Sequence, residues 1–190
     1  MNRFIKIAWS LFFMFGANLV FAQYATLAPD TSTVSFVTTK VQDIQEVMWF
    51  EKLSGSISDN GEVKLSIDPA SINTAVEIRD DRMKEHLFMV GTYPNIEISA
   101  EIDTDSLKNS QKLTLPATLA LLGVEYQIEL KLMVTVSDHQ IAVASAEPVL
   151  LNAKTLGLGE GVATLGELAG GIWIANSVPV SFALTFDLAE

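Results

Sequence analysis

Apolar and polar residues alternate along most of the chain with the period of two that a half-buried strand requires. Val63, Leu65 and Ile67 alternate with Glu62, Lys64, Ser66 and Asp68. Ile96, Ile98, Ala100 and Ile102 alternate in the same way with Glu97, Ser99, Glu101 and Asp103. A short extended piece begins at Leu27 and turns at Pro29-Asp30, and a strand rich in β-branched residues follows around Val34 and Phe36. Further strands are expected over 44–50, 53–58, 62–68, 95–103, 112–121, 126–136 and 141–151. The last strand is the cleanest, with Val178, Val180, Phe182, Leu184 and Phe186 on one side. Asp59-Asn60-Gly61 is a hairpin signal, because Asn and Gly tolerate the positive φ of a tight turn. Pro116 inside a strand points to an edge or a bulge.

Residues 68–94 break the alternation. Asp80 or Asp81 can cap a helix whose exposed N–H groups favour a carboxylate, and Met83 and Leu87 then share a face four residues apart. Lys84 and His86 sit toward the end that favours positive charge; Gly91 stops the helix, and Tyr93-Pro94 forces extended backbone. The pattern therefore predicts one charged helix of about three turns, a connection that plugs the core or lids the end of a sheet structure. The glycine-rich stretch 153–172 reads as a flexible loop holding one helical turn at 164–169.

Eight or nine amphipathic strands joined mainly by hairpins cannot leave their edges open without inviting aggregation. Closure into a barrel, or two packed sheets, resolves this. A barrel of about eight strands has an interior just wide enough for side chains or one slender ligand.

Composition changes the picture at the start of the chain. Arg3 and Lys6 precede an apolar run over 7–20, and Val20-Phe21-Ala22 offers residues that a signal peptidase reads. The expectation is a cleaved secretory signal over 1–22, one domain over 23–190 and a periplasmic location. The run is short for a membrane span, and the absence of cysteine excludes a lipid-anchored lipoprotein. Without Arg3 and Lys6 the net charge falls from −11 to −13. That surface repels phosphate backbones and anionic head groups, so neither nucleic acid nor a stable membrane anchor is expected. A homodimer is left open.

Catalysis finds little footing, and no enzyme is expected. Nucleophilic cysteine is absent, and His86 and His139 read as surface residues of a charged helix and a hairpin turn. No cluster of metal ligands is visible, and Asp59-Asn60-Gly61-Glu62 lacks the repeated acidic spacing of a calcium loop. Gly157, Gly159 and Gly161 are not followed by the long helix of a dinucleotide fold, and no cofactor is implied. Asp80 and Asp81 beside Arg79 and Arg82 read as a solvated cluster or a cap.

Several short pieces occur in a telling order. Ser32-x-Val34-x-Phe36 precedes Leu53-x-Gly55-x-Ile57, Val63-x-Leu65-x-Ile67-Asp68, Ser71-Ile72-x-Thr74 and Arg79-Asp80. Tyr93-Pro94-x-Ile96, Leu113-x-Leu115, Leu122-Gly123-Val124 and Val178-Pro179-Val180-x-Phe182 follow. This order resembles the YceI-like family of exported lipid-binding barrels over nearly the whole of 23–190. The resemblance implies an all-β, lipocalin-like antiparallel barrel of about eight strands with one short helical connection. It further implies an apolar tunnel for an isoprenoid or other long-chain, fatty-acid-like ligand. The chain resembles a divergent branch: Lys40 to Glu46 stand where the family often has a histidine and glycine, and 152–157 replaces the frequent Arg-x-x-Phe-Gly. The apolar strand faces nominate Phe36, Phe50, Leu65, Ile98, Leu115, Leu119, Leu132 and Phe182 as tunnel lining, with Met83, Leu87 and Phe88 at the mouth. The alternative is an interaction or stress-response protein with a filled barrel, binding another protein through its acidic surface and the 153–172 loop.

Overall fold

The computed structural model describes residues 23–107 and 110–189, so the expected export signal over 1–22 lies outside the described residues. The strands are β1 (Gln23–Leu27), β2 (Thr33–Lys40), β3 (Ile44–Phe50), β4 (Leu53–Ser58), β5 (Glu62–Ile67) and β6 (Ile72–Asn73). They continue with β7 (Ile96–Glu101), β8 (Gln111–Leu121), β9 (Val124–Val136), β10 (Gln140–Ser145), β11 (Val149–Asn152) and β12 (Ser177–Leu188). Every pairing is antiparallel, and the circuit β1-β4-β5-β7-β8-β9-β10-β12 closes when β12 pairs with β1.

Four strands of the barrel are bent, and each carries two labels. Phe186 lies between Leu27 of β1 and Ile141 of β10, while Val180 lies between Phe36 of β2 and Val149 of β11. One edge of β12 is thus followed by β1 and then β2, and the other by β10 and then β11. The pairs β3–β4 and β5–β6 continue the bend around the wall. Eight antiparallel strands result. A bend interrupts the backbone ladder, and a buried N–H without a partner is costly. Serine hydroxyls fill the gaps. The Thr185 N–H donates to Ser32 Oγ (3.0 Å), the Lys52 N–H to Ser71 Oγ (2.9 Å) and the Phe182 N–H to Ser145 Oγ (3.2 Å). The single strand expected over 141–151 is therefore two strands, broken at Ala146-Glu147-Pro148. Pro116 needs neither a bulge nor a free edge along β9. It pairs in register with Glu129 and stands one residue beyond Ala117, where the β7 pairing ends.

One end of the barrel is tightly packed. Ala25, Ile57, Val134, Ile141 and Phe186 are all buried there, and Ile141 retains 1% of its surface. The Asn60-Gly61 turn closes the β4–β5 hairpin at this end. Gly61 has φ +84, and a Cβ on it would stand 1.9 Å from the Ile102 carbonyl oxygen.

The helices gather at the other end, and here the structure corrects the sequence-based expectation. Helix α1 (Glu77–Arg82) starts three residues before Asp80, after Val76, with no side-chain cap. Asp80 turns back to accept the Thr74 N–H at 2.8 Å and the Thr74 hydroxyl. A π-helical turn follows over Met83–Leu87, with the Phe88 N–H donating to the Met83 carbonyl at 2.9 Å. Met89 (φ 48), not Gly91, supplies the left-handed residue that ends it. The charged cluster is shared among separate partners: Arg79 meets Glu46 at 2.6 Å, Arg82 donates to the Leu168 carbonyl at 3.0 Å, and Lys84 meets Asp81 at 3.5 Å. The stretch read as a flexible loop holds helix α2 (Gly159–Leu168).

Glu46 joins the β2–β3 hairpin to α1, with Lys40 at 2.7 Å on its other side. The hydrogen bond from Lys40 holds the Glu46 carboxyl below the usual carboxylate range against the opposing effect of partial burial, and Arg79 adds to the lowering. A carboxyl depressed in the folded state stabilises it above the unfolded pKa, and that stability is lost as pH falls through the folded value. Partly exposed pairs contribute on the order of 1 kcal/mol. Urea midpoints of the native protein and Glu46→Gln should therefore differ at pH 7 and converge as the solution is acidified below the ordinary glutamate range. A constant difference across that range would contradict the assignment.

Candidate binding cavity

The barrel encloses a cavity of about 240 Å³ whose lining residues are all Val, Leu, Ile, Phe or Ala. It draws its walls from both ends, with Ile102 and Leu107 on the tightly packed side and Leu87, Phe88 and Val162 on the helical side. An apolar engineered cavity of about 150 Å³ already takes up benzene, so this volume accommodates a segment of hydrocarbon chain.

Phe36, Phe50, Leu65, Ile98, Leu115, Leu119, Leu132 and Phe182 all border this space. Phe36, Phe50, Leu115, Leu119 and Leu132 are buried, while Leu65, Ile98 and Phe182 are only half-buried although their strands turn them inward. Ile128, Leu130 and Val180 behave likewise. In a filled barrel these side chains would be covered by one another. Their remaining surface faces the cavity.

Leu87 and Phe88 border the cavity at the helical end, and Met83 does not. Met83 is buried in the core beside it. Both side chains turn into the same core, so the shared face read from the four-residue spacing holds, but Met83 packs one turn back from the mouth. Phe88 packs edge-on against Phe50, and Phe50 lies tilted against Phe36, each pair at 5.6 Å between ring centres. That aromatic row braces the mouth.

Among the lining residues that sequence reasoning did not nominate, Leu156, Leu158 and Val162 roof the cavity, with Val149, Leu151 and Ala153 leading into them. The spacing of Leu158, Val162 and Leu165 was the available signal, since intervals of four and three mark one helical face. The glycines hid it. Gly161 lies against the π turn, where a Cβ would stand 2.6 Å from the His86 carbonyl oxygen, and Gly166 would meet the Ile172 carbonyl at 2.5 Å. These glycines permit close packing of α2.

The cavity offers no hydrogen bond and no charge to a ligand. Any polar group drawn inside would lose its water without compensation, so only an apolar chain is accommodated, with a head group left at the end. His86 is half-exposed on the π turn, 3.7 Å from Glu85, and His139 is exposed between β9 and β10; neither borders the cavity. Among the described residues no group of three or more His, Asp or Glu is placed to hold a metal.

A closed eight-stranded antiparallel barrel around an apolar cavity, roofed by short helices, defines the lipocalin-like class of barrel. Within it, the YceI-like domain model matches residues 26–186, and the chain belongs to the YceI-like family. It is similar to a polyisoprenoid binding domain from Saccharophagus degradans implicated in plant cell wall breakdown, at 32% identity and a TM-score of 0.85 over 88% of this chain and 99% of that one. BcnA of Burkholderia cenocepacia shares the fold at 16% identity and a TM-score of 0.66, covering 84% of this chain and 98% of that chain. A YceI protein of Campylobacter jejuni shares it at 15% identity and 0.53, covering 75% and 85%. No curated protein matches the chain.

Proposed function

We propose that this is an exported, non-catalytic binding protein of the periplasm that holds an isoprenoid or other long-chain lipid inside its barrel. The observation that carries the reading is the half-exposed state of inward-facing Leu65, Ile98, Leu130 and Phe182 around an all-apolar cavity. The polyisoprenoid binding of the Saccharophagus degradans relative supports the ligand class. Burial supplies the affinity, at about 0.8 kcal/mol for each methylene taken from water, less the cost of ordering the chain. The expected charged leader over 1–22 supports export.

Native mass spectrometry of gently purified protein should show an apolar molecule retained by a chain beginning at Gln23. Release of that molecule by organic extraction should leave the barrel folded. A clean ligand-free mass under the mildest conditions, with no uptake of added isoprenol, would favour the filled barrel.

A further inference from the structure

The helical end carries large apolar side chains that nothing in the fold covers. Val41 and Ile44 stand at the tip of the β2–β3 hairpin, Ile78 on α1, Leu168 at the end of α2 and Trp173 just after it. Trp173 and Ile78 keep 58% and 57% of their surface. These segments form one braced frame. The Val41 N–H donates to the Trp173 carbonyl at 3.0 Å, Arg82 on α1 holds the Leu168 carbonyl, and Arg79 and Lys40 share Glu46. The frame includes the end of α2, whose Val162 borders the cavity.

The charges around it select the partner. Asp43, Glu77, Asp81, Glu85 and Glu167 are exposed there. Lys40 and Arg79 meet Glu46, Arg82 donates to a carbonyl and Lys84 meets Asp81, while Lys154 is exposed before α2. Such a rim repels anionic head groups and leaves apolar insertion as its means of attachment. A long hydrocarbon chain cannot cross water freely, so a cavity that takes one gains from meeting the bilayer directly. Tryptophan is suited to the membrane–water boundary, with an apolar ring and one N–H.

We propose that this rim docks on bilayers of electrically neutral lipid and presents the helical end for exchange of the chain; the proposal rests on the reading of the cavity as a lipid site. In Trp49→Phe protein beginning at Gln23, Trp173 reports alone. Its emission should shift to the blue on phosphatidylcholine vesicles and be quenched by brominated acyl chains, and the response should weaken when phosphatidylglycerol is added at low salt. Ile44→Glu with Ile78→Glu should reduce vesicle partitioning about tenfold or more while retained lipid, read by native mass spectrometry, is unchanged. No response on neutral vesicles, a preference for anionic ones, or protection of Trp173 by self-association without vesicles would each overturn the docking site. If vesicles bind but no chain is ever retained, the cavity reading fails and the docking surface stands.

Discussion

Phe50→Ala should destabilise the ligand-free protein by about 3–5 kcal/mol, the range for removing a packed aromatic core residue. Phe182→Ala should cost clearly less, on the order of 1–2 kcal/mol. Both rings point into the barrel, and a count of inward positions would treat them alike. Their surroundings differ. Phe50 is buried between Phe36 and Phe88 at 5.6 Å from each, so truncation removes contacts on two sides. Phe182 is half-buried and already faces empty space, so less is lost. Urea midpoints after delipidation measure both. Added long-chain isoprenol should then raise the native midpoint by mass action and raise that of Phe182→Ala by a different amount, because the wall of the site has changed. Equal large losses with no effect of isoprenol on the native protein would mean that the barrel is filled.

Gly161→Val should release α2 from the π turn and shorten lipid retention by about tenfold or more, with little change in the strands. A Cβ at Gly161 would approach the His86 carbonyl oxygen at 2.6 Å and the Leu87 Cα at 3.0 Å, both backbone atoms that cannot step aside. The helix must move instead, carrying Val162 away from the roof of the cavity. Amide exchange should therefore quicken over 156–168 and stay slow across β8 and β9. Unchanged exchange and unchanged retention would show that α2 does not roof the site.

The alternation of apolar and polar residues made the walls legible, because side chains of a strand must alternate between core and solvent. Ile44–Phe50 and Leu53–Ser58 stand where the pattern places them. Alternation does not register a bend, so the strand broken at Ala146–Pro148 read as one, whereas Pro29-Asp30 marked the break between β1 and β2; the serines that repair the ladder have no periodic signature. Helix α2 was hidden because each glycine lowers helix propensity by about 1 kcal/mol, while the close approaches that require those glycines exist only in the folded barrel. Met83 marks a different limit: its four-residue spacing from Leu87 gave the shared buried face, but not which of the two borders the cavity. Inward position was readable for Leu65, Ile98 and Phe182, yet whether the interior is filled depends on summed side-chain volume against barrel width.

The most direct measurement is a crystal structure of the delipidated protein reloaded with a long-chain isoprenol. A chain running through the barrel, in contact with Leu65, Ile98, Leu130 and Phe182 and with its hydroxyl at the helical end, is the predicted result. A collapsed interior with those four side chains packed on one another, and the isoprenol bound outside or absent, would contradict it.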